Sequence, residues 1–332
     1  MTIYNIITCQ FAAVIAAYIL NILLGASYFT LHPLRLTGKI TELFEKAVRA
    51  VFPKSKNGEV FGGFVMTVLV IAVCGGIPFA ILFFAYRSNM IFGVCVEAVI
   101  GYFMLSVKSA ARAGRYVYNA LMSGDIKEAR YEISMMDDRD AERMDDAGIA
   151  RAAVETVAER TVGGVIAPLF YMAIGGAVLG CVYKAINIMD SLVGYKDSEY
   201  ADFGKFAARL CSAANYIPSR IAAFFVIISS FILGYDSRNA AYIHRRDARG
   251  GGAQTKSAVA GALCIILGGD VYYFGKLYKR PTIGDDLKDI QYDNILHTIR
   301  MMYLSSFFAA LIFLAAKFGV GCAIQYIYNL IM

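Results

Sequence analysis

The chain has 332 residues, 58% of them hydrophobic and only 17% charged, with a mean hydropathy of +0.55. A soluble domain carries about a quarter of its residues as charged side chains, so this composition excludes an ordinary soluble enzyme and points to an integral membrane protein. The net charge of +6 is too modest to require a nucleic acid partner. It suits loops beside anionic headgroups of a lipid bilayer.

The apolar residues are clustered. Ile3 to Leu24 contains no charge, and neither does Gly62 to Tyr86. Uncharged runs of about 20 residues match the hydrocarbon thickness of a bilayer when helical. The first run has no preceding basic residue and no convincing small-residue cleavage site, so it reads as a retained helix and not as a signal peptide. Arg35, Lys39, Lys46, Arg49, Lys54 and Lys56 follow it. The excess of cations places residues 30–60 in the cytoplasm and the N-terminus outside. Spans are predicted at 3–24, 62–86, 89–107 and 302–320. The second and third form a hairpin through Arg87 and Ser88 that returns the chain to the cytoplasm at Lys108, Arg112 and Arg115.

The cysteines at 9, 74, 95, 181, 211, 264 and 322 show no C-x-x-C spacing. They read as small buried apolar residues, and not as metal ligands or a disulfide framework. Residues 123–162 are polar, with Asp125 as an N-cap and Ile126, Ala129, Ile133 and Met136 at helical spacing. A second helix is expected over Ala147 to Val162, making a cytoplasmic helical hairpin. The apolar stretches 163–183 and 221–234 are ambiguous, one broken by Gly175-Gly176 and the other only 14 residues long. Because 108–162 and 238–256 both look cytoplasmic, either both stretches cross or neither does. The expectation is an all-α, polytopic helical membrane protein with re-entrant or buried helices. Residues 1–332 form a single membrane domain, in which 163–300 make a catalytic region of polar loops and buried helices.

Glu155 and Glu159 share a helix face with Arg151 one turn earlier. On spacing alone, an i,i+4 charge ladder on a solvated surface is favoured over a carboxylate pair for Mg²⁺. Lys184, Asn187, Asp190 and Ser191 make a polar stripe between apolar residues, where structural pairing and ligand contact are equally good readings. Gly250 to Ser257 is not a phosphate loop, since Thr255 occupies the place of the second glycine and no strand precedes it. It reads as a glycine-rich turn before an apolar helix from Ser257 to Leu267. His32-Pro-Leu-Arg35, taken alone, is a helix stop and a headgroup anchor.

Four segments in series resemble the adenosylcobinamide-phosphate synthase family of cobalamin biosynthesis. They are His32-Pro-Leu-Arg-Leu-Thr-Gly38; Ala150-Arg-Ala-Ala-Val-Glu-Thr-Val-Ala-Glu159 with Val165-Ile-Ala-Pro-Leu-Phe-Tyr171; Tyr183 to Lys196 with Asp202-Phe-Gly204, Ala207-Ala-Arg-Leu210 and Ile217-Pro-Ser-Arg220; and Arg245-Arg-Asp-Ala-Arg249 with Ala260-Gly-Ala-Leu263, Leu267-Gly-Gly269, Tyr273-Phe-Gly275 and Pro281-Thr-Ile-Gly-Asp285. Against the family pattern, Arg160 stands for Asn, Gly163 for Asp, and Ala253-Gln-Thr-Lys256 for Asn-x-Gly-Trp-Pro.

The resemblance implies a multi-pass enzyme of the cell (inner) membrane with its active face in the cytoplasm. Such an enzyme uses ATP and Mg²⁺ to join an aminopropanol-type amine, or its phosphate, to a propionate of the corrinoid substrate adenosylcobyric acid. Mapped onto matched positions, Glu155, Glu159 and Asp190 take the metal role. Asp190, Lys184 and Asn187 serve catalysis, and His32, Arg35, Tyr195, Lys196 and Arg209 contact substrate or phosphate. ATP is cytoplasmic, so 163–183 and 221–234 are expected to be re-entrant or buried. A homo-oligomer or other cobalamin-pathway proteins are the partners this implies. The competing readings are a catalytically silent corrinoid- or partner-binding homologue and a secondary transporter, the latter disfavoured because no inverted repeat is visible.

Overall fold

A computed structural model describes residues 3–25, 33–53, 55–137, 139–194, 200–273 and 275–331. In chain order its helices are α1 (Ile3–Leu24), α2 (Pro33–Val51), α3 (Lys56–Ser88), α4 (Met90–Met104), α5 (Val107–Met122), α6 (Ile126–Ser134), α7 (Asp146–Arg160), α8 (Ala167–Val193), α9 (Lys205–Ile232), α10 (Ser237–Asp247), α11 (Ala253–Leu263) and α12 (Asp293–Ile331). A π-helical stretch, Thr161–Ile166, separates α7 from α8. The strands are two short antiparallel ribbons: β1 (Leu267–Gly268) with β4 (Thr282–Ile283), and β2 (Val271–Tyr273) with β3 (Lys276–Tyr278). Apart from these, the all-α expectation holds.

The chain divides into two compact units. The first comprises 1–105, 167–216 and 310–332; the second comprises 106–166 and 217–309. Six helical stretches among the described residues are long and apolar enough to cross a bilayer: Ile7–Leu24, Lys56–Ser88, Met90–Met122, Asp146–Val193, Lys205–Ile232 and Asp293–Tyr326. The sequence reading counted four spans. The two added stretches contain the ambiguous segments.

One of these does not run straight. Within α8, Gly175 (φ −132°, ψ 28°) and Gly176 (φ 66°, ψ −165°) leave helical geometry. In an unbroken helix Tyr171 and Tyr183 would be about 18 Å apart, yet their rings stack with centroids 5.1 Å apart and 14° between planes. A Cβ on Gly180 would lie 2.6 Å from Met172 Cγ. The half-helices 167–174 and 177–193 therefore lie side by side as a hairpin with its tip at Gly175-Gly176. Of the other ambiguous stretch, 221–234, the residues up to Ile232 belong to the 28-residue α9.

Backbone polar groups at a buried tip need partners, because a buried donor or acceptor left without one costs free energy. The last turn of the first half exposes the Ala173 carbonyl, which accepts from Lys317 Nζ at 3.0 Å. The second half begins with the Ala177 amide, which donates to Glu97 Oε1 at 3.0 Å. A cation thus meets a helix C-terminus and a carboxylate meets a helix N-terminus, each matching the local dipole. Lys317 also donates to Gln10 Oε1 at 2.9 Å, and Tyr86 donates to Glu97 Oε2 at 2.5 Å. Glycines allow the surrounding elements to close in: a Cβ on Gly63 of α3 would fall 1.9 Å from the Phe203 carbonyl oxygen. Val48, Met66, Val70, Met189, Val193 and Phe203 belong to the core that α2, α3 and α8 share here.

The polar hairpin starts as expected, with Asp125 accepting from the Glu128 amide at 3.0 Å. The helix expected over Ser257 to Leu267 instead runs four residues earlier. Gln254 Nε2 ties its N-terminus to the Ala248 and Gly250 carbonyls. Cys264 takes a left-handed conformation (φ 57°), and the Ile265 amide reaches back to the Ala260 carbonyl at 3.0 Å. That six-to-one bond is the Schellman stop.

Candidate functional site

Helix α7 is almost wholly buried in the second unit, and its carboxylates do not form a solvated ladder. Glu155 is 2% exposed. Its Oε2 accepts from Arg139 Nη2 at 2.6 Å, and its Oε1 accepts from the Gly268 amide at 2.6 Å. Glu159 turns to Lys256, Oε1 to Nζ 2.5 Å. The next residue, Thr255, donates to the Ala158 carbonyl at 2.9 Å. Arg151 joins neither carboxylate, and its buried Nε has no hydrogen-bond partner among the described residues.

Asp137 completes this network, with Oδ2 2.9 Å from Arg139 Nε. Burial pushes the Asp137 carboxyl above its ordinary range; Arg139 opposes the rise and the charge of Glu159 adds to it. For Arg139, burial works against the charge, but Glu155 and Asp137 outweigh it and hold the guanidinium above its usual value. Arg160, which replaces the family's asparagine, donates from Nη2 to the Met136 carbonyl at 3.1 Å. Gly163, in place of an aspartate, lies in the π-helical stretch.

In the first unit, the second half of α8 carries Lys184, Asn187 and Asp190. Lys184 is 5% exposed. Asn187 and Asp190 lie beside the Cys211 thiol of α9, and Asn215 Nδ2 donates to the same sulfur at 3.2 Å. The α8 terminus is tight: a Cβ on Gly194 would sit 2.4 Å from Asp190 Oδ1.

Gly194 is also the start of a cavity of about 560 Å³, walled by Tyr200, Ala201, Gly204, Lys205, Ala208, Arg209 and Ser212. Lys205 and Arg209 occupy the first turns of α9, and neither forms an ion pair among the described residues. Two cations at one helix N-terminus suit an anion such as phosphate. Tyr200 is held from behind by Arg49, whose Cζ is 5.2 Å from its ring centre. Arg35 is exposed on the first turn of α2, and Gly38 one turn on approaches Leu192 at the end of α8. His32, Tyr195 and Lys196 lie outside the described residues.

The first unit therefore brings Asn187, Asp190 and Arg209 together around one end of α8 and α9, with Lys184 a turn deeper. Glu155 and Glu159 belong to the second unit. Among the described residues no three His, Cys, Asp or Glu side chains converge to hold a metal ion. Both Glu155 oxygens are already committed, so Glu155 fits an anchor for the Gly268 loop better than a metal ligand. Asp190, beside a cation-lined cavity, has the chemistry to meet Mg²⁺ arriving with nucleotide phosphates, since Mg²⁺ takes only one or two protein carboxylates in such complexes.

The family model described as CobD/Cbib protein matches residues 14–302. The chain belongs to the CobD/CbiB family. It is 40% identical over 308 residues to cobalamin biosynthesis protein CobD of Clostridium perfringens (strain 13 / Type A), covering 92% of this chain and 97% of that one. It is 37% identical over 302 residues to the CobD of Listeria monocytogenes serovar 1/2a, covering 90% and 95%. Against cobalamin biosynthesis protein CbiB of Salmonella typhimurium (strain LT2) it is 37% identical over 309 residues, covering 92% and 97%. No solved structure matches. The resemblance read from four motifs in series is borne out.

Sequence reasoning missed several residues around these candidate positions of the CobD/CbiB chain. Lys205 was detectable as the first cation of an amphipathic helix after Asp202-Phe-Gly204. Arg139 and Lys256 lie 16 and 97 positions from the carboxylates they neutralise, and no local pattern announces such pairs.

Proposed function

We propose that this chain is an ATP- and Mg²⁺-dependent amide ligase of cobalamin biosynthesis, acting at the cytoplasmic face of the cell membrane. It would join an aminopropanol-type amine or its phosphate to a propionate of adenosylcobyric acid. Family membership and the names of the relatives support the pathway. The observation carrying the reaction type is the cavity at the α8–α9 turn, where Lys205 and Arg209 form no ion pair among the described residues and Asp190 backs onto Gly194.

A carboxylate and an amine do not condense unaided, because the amine is protonated and oxide is a poor leaving group. Phosphorylation of the propionate by ATP supplies a good leaving group. Lys205 and Arg209 then hold phosphate oxygens and neutralise charge as it develops. Asp190 and Asn187 offer an acceptor and an amide to orient the incoming amine or Mg²⁺. The re-entrant geometry of α8 supports a cytoplasmic site, because a hairpin returns residues 184–193 to the side from which 167 enters.

Purified protein in detergent, given adenosylcobyric acid, Mg-ATP and aminopropanol phosphate, should produce an ATP-dependent amide by mass spectrometry. Complete absence of amide with these substrates would defeat the ligase reading. Asp190→Asn should greatly lower turnover while the protein stays folded. Sidedness is read by a cysteine at Lys205, in a background lacking the exposed Cys95 and Cys322. A membrane-impermeant maleimide should label it only from the cytoplasmic side.

A further inference from the structure

A second cavity, of about 420 Å³, lies in the first unit away from the α8–α9 turn. Gln10, Phe79, Leu82, Phe83, Tyr86, Arg87, Glu97 and Val178 line it. Its polar groups divide sharply. Glu97 is 2% exposed, and both of its oxygens are occupied, by the Tyr86 hydroxyl and the Ala177 amide. Gln10 is engaged by Lys317. The one formal charge left facing the space is Arg87, in the last turn of α3, which has no ion pair or hydrogen bond among the described residues.

The remaining wall is apolar and opens outward. Phe79 is 60% exposed and Phe83 54% exposed, and their rings stack with centroids 6.4 Å apart. α3 is uncharged from Gly62 to Tyr86, so Arg87 marks the level where its hydrocarbon-matched stretch ends. A cation at headgroup depth above an apolar slot suits one molecule: an anionic amphiphile with its charge at one end.

We propose that this cavity holds an anionic phospholipid, its acyl chain along Phe79, Leu82, Phe83 and Val178 and its phosphate on Arg87. Arg87 interacts with anionic headgroups and does not discriminate by chain chemistry, so a zwitterionic lipid of the same chains lacks the net charge that favours binding. The site also reaches the re-entrant hairpin. Tyr86 lines the cavity and donates to the carboxylate that caps Ala177, and Val178 is the next residue. An occupied cavity therefore packs against the hairpin tip directly.

Native mass spectrometry of the protein released from mixed micelles, with phosphatidylglycerol and phosphatidylcholine of identical chains at equal concentration, tests this. One retained phosphatidylglycerol per chain is expected, enriched roughly five-fold over phosphatidylcholine, the weight of about one cation near an anionic headgroup. Equal retention, or retention of neither lipid, overturns the proposal on the wild-type protein alone. Arg87→Gln should abolish the preference, and Val178→Phe should reduce retention of both lipids by filling the slot. A preference that survives both substitutions places the lipid elsewhere and overturns the assignment. These readouts do not depend on ligase activity.

Discussion

The Glu97 carboxylate accepts a hydrogen bond from the Ala177 amide at 3.0 Å, joining positions 80 residues apart at the tip of the α8 hairpin. An amide buried without an acceptor costs about 1–3 kcal/mol. Glu97→Ala should therefore lower thermal stability in detergent more than Glu97→Gln, whose amide oxygen can still accept. Gly176→Ala should be at least as damaging. Its φ of 66° disfavours a side chain, and the added Cβ would fall 2.3 Å from Glu97 Oε1. Equal melting temperatures for Glu97→Ala and Glu97→Gln would show that the capping bond contributes nothing.

Glu155 is a second anchor of the same kind, but between charges. Removing one partner of a buried ion pair costs about 3–5 kcal/mol because the other charge is stranded. Arg139→Ala should strongly destabilise the second unit. Exchanging the two residues, Arg139→Glu with Glu155→Arg, should not restore stability, since the Gly268 amide would then face a donor. Thermal denaturation followed by resistance to trypsin compares the three proteins, and full rescue by the exchange would remove Gly268 from the network.

At the candidate site, Gly194→Ala should lower the proposed ligase turnover without unfolding the chain, because its Cβ would press on the Asp190 carboxylate and carbonyl. Arg209→Ala and Lys205→Ala should raise the KM for ATP or for the phosphorylated amine by about 10-fold or more, the scale of a lost charge-assisted hydrogen bond. Steady-state kinetics with each substrate varied in turn distinguishes the two phosphates. An unchanged KM for both would take the cavity out of the reaction.

The pH dependence of stability has a readable source in α10. Burial lowers the His244 pKa below its ordinary 6.5; the Gln254 carbonyl, 3.2 Å from Nδ1, opposes this, while Arg220 and Arg245 add to it. The unfolded chain therefore binds this proton more readily, so the stability conferred by neutral His244 is complete above about pH 6.5 and is lost as pH falls below it. Asp247 is shifted the opposite way, held below 3.8 chiefly by Arg246. Its contribution is lost only as pH falls below about 3.8. Asp137, raised by burial, favours the fold at low pH and loses that contribution as pH rises through its folded value. His244→Gln should accordingly show a smaller drop in melting temperature between pH 7.5 and 5.5 than the unmodified protein. An equal drop would remove His244 as the source.

Much of this architecture is legible in the chain because bilayers impose strong local rules. The charge-free run from Gly62 to Tyr86 and the Asp125 cap each act within a few residues of themselves. Gly175-Gly176 is visible as an interruption, and the requirement that ATP reach residues 184–218 favours a re-entrant or buried stretch, but not the pairing of its two halves. What stayed hidden are the long-range pairs. Glu97 and Lys317 sit inside apolar stretches, and that rarity was the available signal, but nothing local says that both secure one turn. The Glu155–Glu159 spacing suggested a solvated ladder because burial of α7 depends on β1 and α11, more than 90 residues later.

The Glu155–Gly268 bond also constrains how the molecule can be made. The acceptor is synthesised 113 residues before its donor, and ribosomes add about 5–20 residues per second. For several seconds a carboxylate destined for a dry interior has only Arg139 as its specific partner, and the Glu159 carboxylate lacks Lys256. α7 must therefore stay wetted at the translocon exit, or be shielded by an insertion chaperone, until the chain beyond residue 268 emerges. Truncations ending before that point should be substrates for membrane quality-control proteolysis, whereas the amino-terminal hairpin of α3 and α4 can leave the translocon at once.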